Sequence, residues 1–138
     1  MAGYIASYFH HDGTLAAVVE FQCAEASSTA LADFVAVARD VALHVAVANP
    51  TWLSGQEVDA GLWNREVTAR REDLAQLNEA GQERFLADLR RQFERRYVLL
   101  RQPFAKDDKK TVEEVLELLS QRLKERITIV KFARFDIR

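Results

Sequence analysis

The side chains of this chain best suited to holding a metal or moving a proton are three histidines and one cysteine. His10, His11 and Asp12 stand side by side, and His44 follows at a distance. If the first group lies on a strand, consecutive side chains point to opposite faces, so His10 and His11 do not share an ion. His44 would then have to reach them from a separate helix to complete a three-ligand site. The group reads instead as polar residues at the end of a hairpin. Asp40 and His44 stand four apart, close enough to pair on a helix. No serine or cysteine beside them in sequence offers a nucleophile, so the pair reads as a structural or interface hydrogen bond. Cys23 sits in an alternating apolar run and reads as a small buried hydrophobe rather than a reactive thiol. Arg90, Arg91, Arg95 and Arg96 form the densest basic cluster and suggest a face for RNA. The same segment carries Glu83, Asp88 and Glu94, and its aromatics Phe85, Phe93 and Tyr97 recur at core spacing, so a solvated helix face is expected. The five glycines are scattered and build no phosphate cradle. Nothing in these patterns argues for an enzyme or implies a cofactor or metal.

The bulk properties agree. A chain of 138 residues has the size of one domain with one modest core. Nineteen basic and 21 acidic side chains leave a net charge of −2, which exerts no general pull on nucleic acid or anionic membrane. The lone cysteine forms no internal disulfide, and the opening residues lack a charged and apolar leader; both point to the cytoplasm. The longest apolar stretch, Leu31 to Ala48, is interrupted by Asp33, Arg39, Asp40 and His44, so it is not expected to cross a bilayer.

The elements that must position these residues follow from local pattern. Tyr4–Phe9 and Leu15–Gln22 are β-branched and aromatic, and Asp12-Gly13 between them supplies the positive φ of a tight turn. Leu15, Ala17, Val19, Phe21 and Cys23 share one face of the second strand, with Glu20 on the other. Ser27, Ser28 or Thr29 caps a helix that runs to about Ala48 and stops at Asn49-Pro50. Its Ala/Val content suggests burial on more than one side. Ser54 to Glu57 fits a capping box before a polar helical stretch reaching about Asn78, with a break at Gly81. Phe85, Leu86, Leu89, Phe93 and Tyr97 form a helical stripe. Asp107 to Lys110 reads as a polar loop. Thr111 to Glu114 is a second capping box, opening a helix whose face is Val115, Leu116, Leu119 and Leu123. Ile127–Ile137 reads as a strand. Two strands, several helices and a last strand predict an α+β fold. Its three-stranded antiparallel sheet, two N-terminal strands plus the C-terminal one, packs against helices.

Six pieces carry a family likeness: S-Y-F-H-H-D-G from Ser7, V-V-E-F-Q-C from Val18 and D-V-A-L-H-V-A-V-A-N-P from Asp40, then V-L-L-R-Q-P-F-A-K-D from Val98, K-T-V-E-E-V-L from Lys110 and V-K-F-A-R-F-D from Val130. In this order they resemble the core domain of the elongation factor Ts family, from about Tyr4 onward, with a poor match over 61–96. The resemblance implies a single elongation factor Ts-like core, or dimerisation, domain over residues 1–138. The same resemblance leads to the expectation that the small N-terminal helical domain preceding the core in the family is missing here. It also implies a non-enzymatic protein that binds elongation factor Tu and promotes GDP/GTP exchange, and that pairs as a homodimer like other short members.

The family's exchange motif, Thr-Asp-Phe-Val, begins two residues after the cysteine that ends the second strand. Aligned without gaps from Cys23 to Phe34, that slot holds Glu25, Ala26, Ser27 and Ser28. A hydroxymethyl thus replaces the aromatic wedge that forces helices of the GTPase apart. Ala32-Asp33-Phe34-Val35 repeats three of the letters, but using it would need an insertion and a compensating deletion, so Phe34 is expected in the core. The resemblance also implies that a histidine of the hairpin signature touches the third domain of elongation factor Tu; His10 takes that position, with His11 beside it. Weakened exchange is one expectation. The other is an exchange-inactive dimerisation or ribosome-associated scaffold module.

Overall fold

The computed structural model describes residues 2–138. Strands β1 (Ala2–Phe9) and β2 (Leu15–Cys23) form the expected hairpin, in register from Phe9 opposite Ala16 to Ala2 opposite Cys23. The turn closes where Gly13 adopts φ +75°, a backbone conformation that costs a residue without Cβ nothing. All five inward residues of β2, Leu15, Ala17, Val19, Phe21 and Cys23, are buried, as the alternation requires. The last strand, labelled β5 (Thr128–Asp136), pairs antiparallel with the other side of β2, giving the order β1-β2-β5. The three-stranded antiparallel sheet of an α+β fold is therefore present, closed by residues more than a hundred positions from the hairpin.

Helix α1 (Ala32–Ala48) covers the inner face of the sheet. Phe34, Ala38, Val41, Ala42 and Val45 are each at most 1% exposed, and the small side chains let the helix lie close to the strands. Phe34 meets Tyr4 and Phe21 edge to face, with centroids 5.3 and 5.9 Å apart. The helix ends at Asn49 in the left-handed conformation, before Pro50, as expected. Arg134 of β5 donates from Nε to the carbonyl of Ala46 at 2.9 Å, placing a cation at the negative end of the helix. The start differs from expectation. Leu31, not a serine or threonine, occupies the cap position, and no side chain bonds the first turn. Residues Ala26–Ala30 wind into a separate 3-10 turn instead.

Beyond Pro50 the chain builds a helical arm of α2 (Ala60–Ala69), α3 (Arg71–Ala75) and α4 (Glu79–Tyr97). Ser54 and Glu57 do not form a capping box: Glu57 accepts from the Leu53 amide at 3.3 Å, and Asp59 caps α2 through the Gly61 amide. Gly81 is not a break either. It lies in the first turn of α4, where its amide donates to the Asn78 side chain at 2.8 Å, so the helix starts at Asn78. Of the expected stripe, Leu89 and Phe93 are buried, while Phe85, Leu86 and Tyr97 are partly exposed. Asp107–Thr111 is a strand (β4) that pairs with Pro103–Phe104 (β3), replacing the polar loop expected there. Thr111 then forms the predicted capping box with Glu114, with both reciprocal bonds present, at the head of α5 (Val112–Leu123). Val112, Leu116 and Leu119 bury the inner face of α5 against the same core.

One polar residue lies deep in that core. His44 is 1% exposed; it shares a 2.9 Å hydrogen bond with Gln102 through Nε2, and its Nδ1 accepts from the Ala105 amide at 3.0 Å. The Ala105 amide makes Nδ1 the acceptor, so Nε2 carries the proton and donates to the Gln102 carbonyl oxygen. Gln102 in turn donates to the Arg96 carbonyl at 2.9 Å. The anticipated Asp40–His44 pair does not form, because the ring turns inward while Asp40 faces Lys106 at 3.9 Å. Burial pushes the His44 pKa below its ordinary 6.5. The unfolded chain therefore takes up a proton that the folded chain refuses, and stability is lost as pH falls below about 6.5 and is level above it. Urea midpoints measured from pH 8 to pH 5 should show this slope, and His44→Gln should flatten it. Gln102→Leu, which leaves the His44 N–H without an acceptor, should cost about 1–3 kcal/mol at pH 8.

Candidate functional site

The segment after β2 is set by backbone bonds rather than by a side-chain cap. The Ser28 amide donates to Glu25 O at 3.2 Å, the Leu31 amide to Ser28 O at 3.1 Å, and the Thr29 hydroxyl to Ala26 O at 2.7 Å. This tight turn divides the four slot residues. Glu25, Ala26 and Ser27 are exposed, whereas Ser28 is 6% exposed and faces inward. The position aligned with the family's aromatic ring thus points to solvent, and the one aligned with its valine points to the core. Phe34 is 0% exposed inside α1, so Ala32–Val35 cannot present a ring to a partner. Cys23, just before the turn, is buried, and its thiol donates to Glu25 O at 3.4 Å. Burial, and then the nearby Glu125 carboxylate, push its pKa up, which keeps the thiol neutral and unreactive.

The opposite end of the hairpin is organised by Asp12. Its Oδ1 accepts from the Thr14 amide at 3.0 Å, the Thr14 hydroxyl at 2.6 Å and His10 Nδ1 at 2.9 Å. His10 and His11 do not diverge as strand neighbours would. Both have left the strand, and their rings lie against each other with centroids 4.3 Å apart. Among the described residues, no group of three His, Cys, Asp or Glu side chains is placed to hold a metal ion. The Thr14 hydroxyl and amide, then His10, lower the Asp12 pKa from 3.8 to about 2. Because the folded pKa is depressed, the turn's bonds are intact above pH 3.8 and are lost as pH falls toward 2. The Thr14 amide resonance followed by NMR from pH 5 to pH 2 should move with that low midpoint, and Asp12→Asn should abolish the movement.

The two candidate patches do not converge. His10 and His11 sit at one end of the β1–β2 hairpin and Glu25 to Ser28 at the other. The nine residues of β2 lie between them, a span of about 30 Å at ~3.3 Å per residue. No small ligand bridges such a distance; a protein surface can. The sheet's outer face runs between them, with Ile5, Phe9 and Phe135 each 65–69% exposed. Phe9, Ala16 and Phe135 line up across the three strands by register. The arginine cluster is dispersed. Arg90 is held by Glu94 at 2.8 Å and by Gly55 O at 3.0 Å and lies over the Trp63 ring, while Arg91 pairs with Asp88. Among the described residues, no helix is long and apolar enough to cross a membrane.

Gln102 and Arg134 carry structural roles that the sequence reading missed, since neither sits in a pattern that marks a buried hydrogen bond. Trp52 was missed too. It packs on Phe93 and Tyr97 from a segment without helical or strand periodicity.

The structure is thus an α+β fold, a three-stranded antiparallel sheet covered by helices on one face, with ordered turns at both ends and Ile5, Phe9 and Phe135 exposed on the other. The family model for Elongation factor TS matches residues 1–138, and the chain belongs to that family. Similar proteins include an elongation factor Ts of Nitratidesulfovibrio vulgaris (strain DP4), 33% identical over 98% of this chain and 48% of the relative. That of Anaeromyxobacter sp. (strain Fw109-5) is 34% identical over 96% of this chain and 62% of the relative. That of Syntrophomonas wolfei is 32% identical over 98% and 64%. The chain thus spans about half to two-thirds of the length of these relatives.

Proposed function

We propose that this chain is a single elongation factor Ts core that docks on elongation factor Tu and promotes exchange of its guanine nucleotide, at reduced strength. The observation that carries this reading is the placement of the two family contact positions. His10 and the turn of Glu25, Ala26, Ser27 and Ser28 lie at opposite ends of one sheet. A GTPase with separate domains can meet both at once, His10 and His11 on one domain and the 3-10 turn on another. No bond is made or broken by this protein. Binding the empty form of the GTPase more tightly than the loaded form shifts its population toward nucleotide release. Ser27 gives that wedge a hydroxymethyl instead of a ring, which favours weaker exchange.

A second reading, an anchoring module without exchange activity, rests on the same serine. Both readings include a homodimer closed over the outer sheet face, where Ile5, Phe9 and Phe135 are exposed.

Mixing the purified chain with elongation factor Tu loaded with fluorescent GDP separates the readings. Faster release of the nucleotide supports exchange. Binding with unchanged release supports anchoring, and no binding at all rules out the docking reading.

A further inference from the structure

Two hollows on the helical arm join into one groove between α2 and α4. The first, about 330 Å³, is lined by Trp52, Leu62, Arg65, Phe93 and Tyr97. The second, about 110 Å³, shares Phe93, Tyr97 and Glu66 with it and continues past Leu89 to Arg70 and Arg96. The floor is fixed before any partner arrives. The Trp52 amide donates to Tyr97 O at 3.1 Å and the Leu99 amide to Trp52 O at 2.8 Å, so binding need not order it.

Several faces of these rings are already in contact. Trp52 stacks on Phe93 with planes 27° apart, Trp63 closes on Phe93 edge-on, and the Arg96 guanidinium lies 5.5 Å from the Tyr97 centroid. Stacked rings leave less face for nucleic-acid bases, and Leu62, 41% exposed, suits an aliphatic side chain. The rim is cationic although the chain carries a net charge of −2. Arg65, Arg70 and Arg96 face a single carboxylate, Glu66, itself 3.7 Å from Arg70.

We propose that this groove binds an acidic amphipathic segment of a partner protein, its apolar side chains against Leu62 and the lining rings and its carboxylates on Arg65, Arg70 and Arg96. This surface is distinct from the turns at the ends of the sheet, and its test is independent of nucleotide exchange. Trp63→Phe leaves Trp52 as the sole indole of the two. Its emission is followed during titration with a synthetic helical peptide carrying leucines at i, i+3, i+4 and i+7 and glutamates elsewhere. Controls are the same peptide with lysines for glutamates, and oligouridylate. The two indole N–H resonances of the unaltered protein provide a second readout that does not depend on the substitution. The acidic peptide should move the Trp52 signal and bind at least about tenfold tighter than the lysine version, and Arg65→Glu with Arg96→Glu should reverse that order. Equal binding of the two peptides, no movement of Trp52, or stronger binding of oligouridylate would overturn the proposal.

Discussion

Replacing Phe34 by alanine is expected to destabilise the protein by about 3–5 kcal/mol, the usual cost of emptying a fully buried aromatic site. The ring is 0% exposed and makes edge contacts with both Tyr4 and Phe21, so its loss opens a cavity where α1 meets the sheet. A drop in the urea midpoint without a change in slope would register this. Ser27→Ala, at an exposed position, should stay within about 0.5 kcal/mol of the parent. The contrast decides between two ways of placing the family motif. A wedge residue can be cut back without unfolding the protein, whereas a core residue cannot. A Phe34→Ala protein that keeps its stability but loses contact with the GTPase would show that Ala32–Val35, not the turn before it, is the contact segment.

Restoring the family motif should have the largest effect on function. The variant Glu25→Thr, Ala26→Asp, Ser27→Phe, Ser28→Val puts an aromatic ring on an outward position and a branched apolar side chain on an inward one. A ring seated in an apolar pocket of a partner contributes about 2 kcal/mol or more, so release of fluorescent GDP at sub-saturating concentration should rise by roughly tenfold or more. Ser28 is 6% exposed, and the added methyl groups can crowd the core beneath the turn. The triple variant that retains Ser28 therefore belongs beside it. If both variants fold normally, bind the GTPase and leave release unchanged, the missing ring is not what limits exchange.

The sheet could be read from the residues because β1 and β2 keep a period-two pattern with one buried face, as Leu15 to Cys23 shows, whereas in β5 the alternation breaks at a bulge opposite Glu20 and Phe21 that brings both Ile129 and Phe132 to the core side. The capping box at Thr111 was equally legible, since both partners lie within four residues of each other. Its counterpart at Ser54 failed because the chain there forms a single 3-10 turn, leaving Glu57 nearer the Leu53 amide than that of Ser54. Gly81 misled for a related reason: glycine is tolerated in a first helical turn whose amides are satisfied by a cap, here Asn78. The helix start after Cys23 was misplaced because Ser27, Ser28 and Thr29 all have capping chemistry, while the backbone closed its own turn and left Leu31 at the cap. Partnerships across long stretches of chain were not legible. His44 with Gln102, and Arg134 with Ala46, depend on how α1 settles on the sheet, and neither pair has a local sign. The candidate contact residues were named through the family likeness; their split into outward Ser27 and inward Ser28, and the distance between the two patches, came from the fold.

Hydrogen–deuterium exchange of the chain alone and in complex with elongation factor Tu tests the central claim most directly. Docking at both ends of the sheet predicts slowed exchange in two separate segments, residues 9–14 and residues 25–31, in the same complex. Protection confined to the outer sheet face or the helical arm, or none at either turn despite binding, would contradict it.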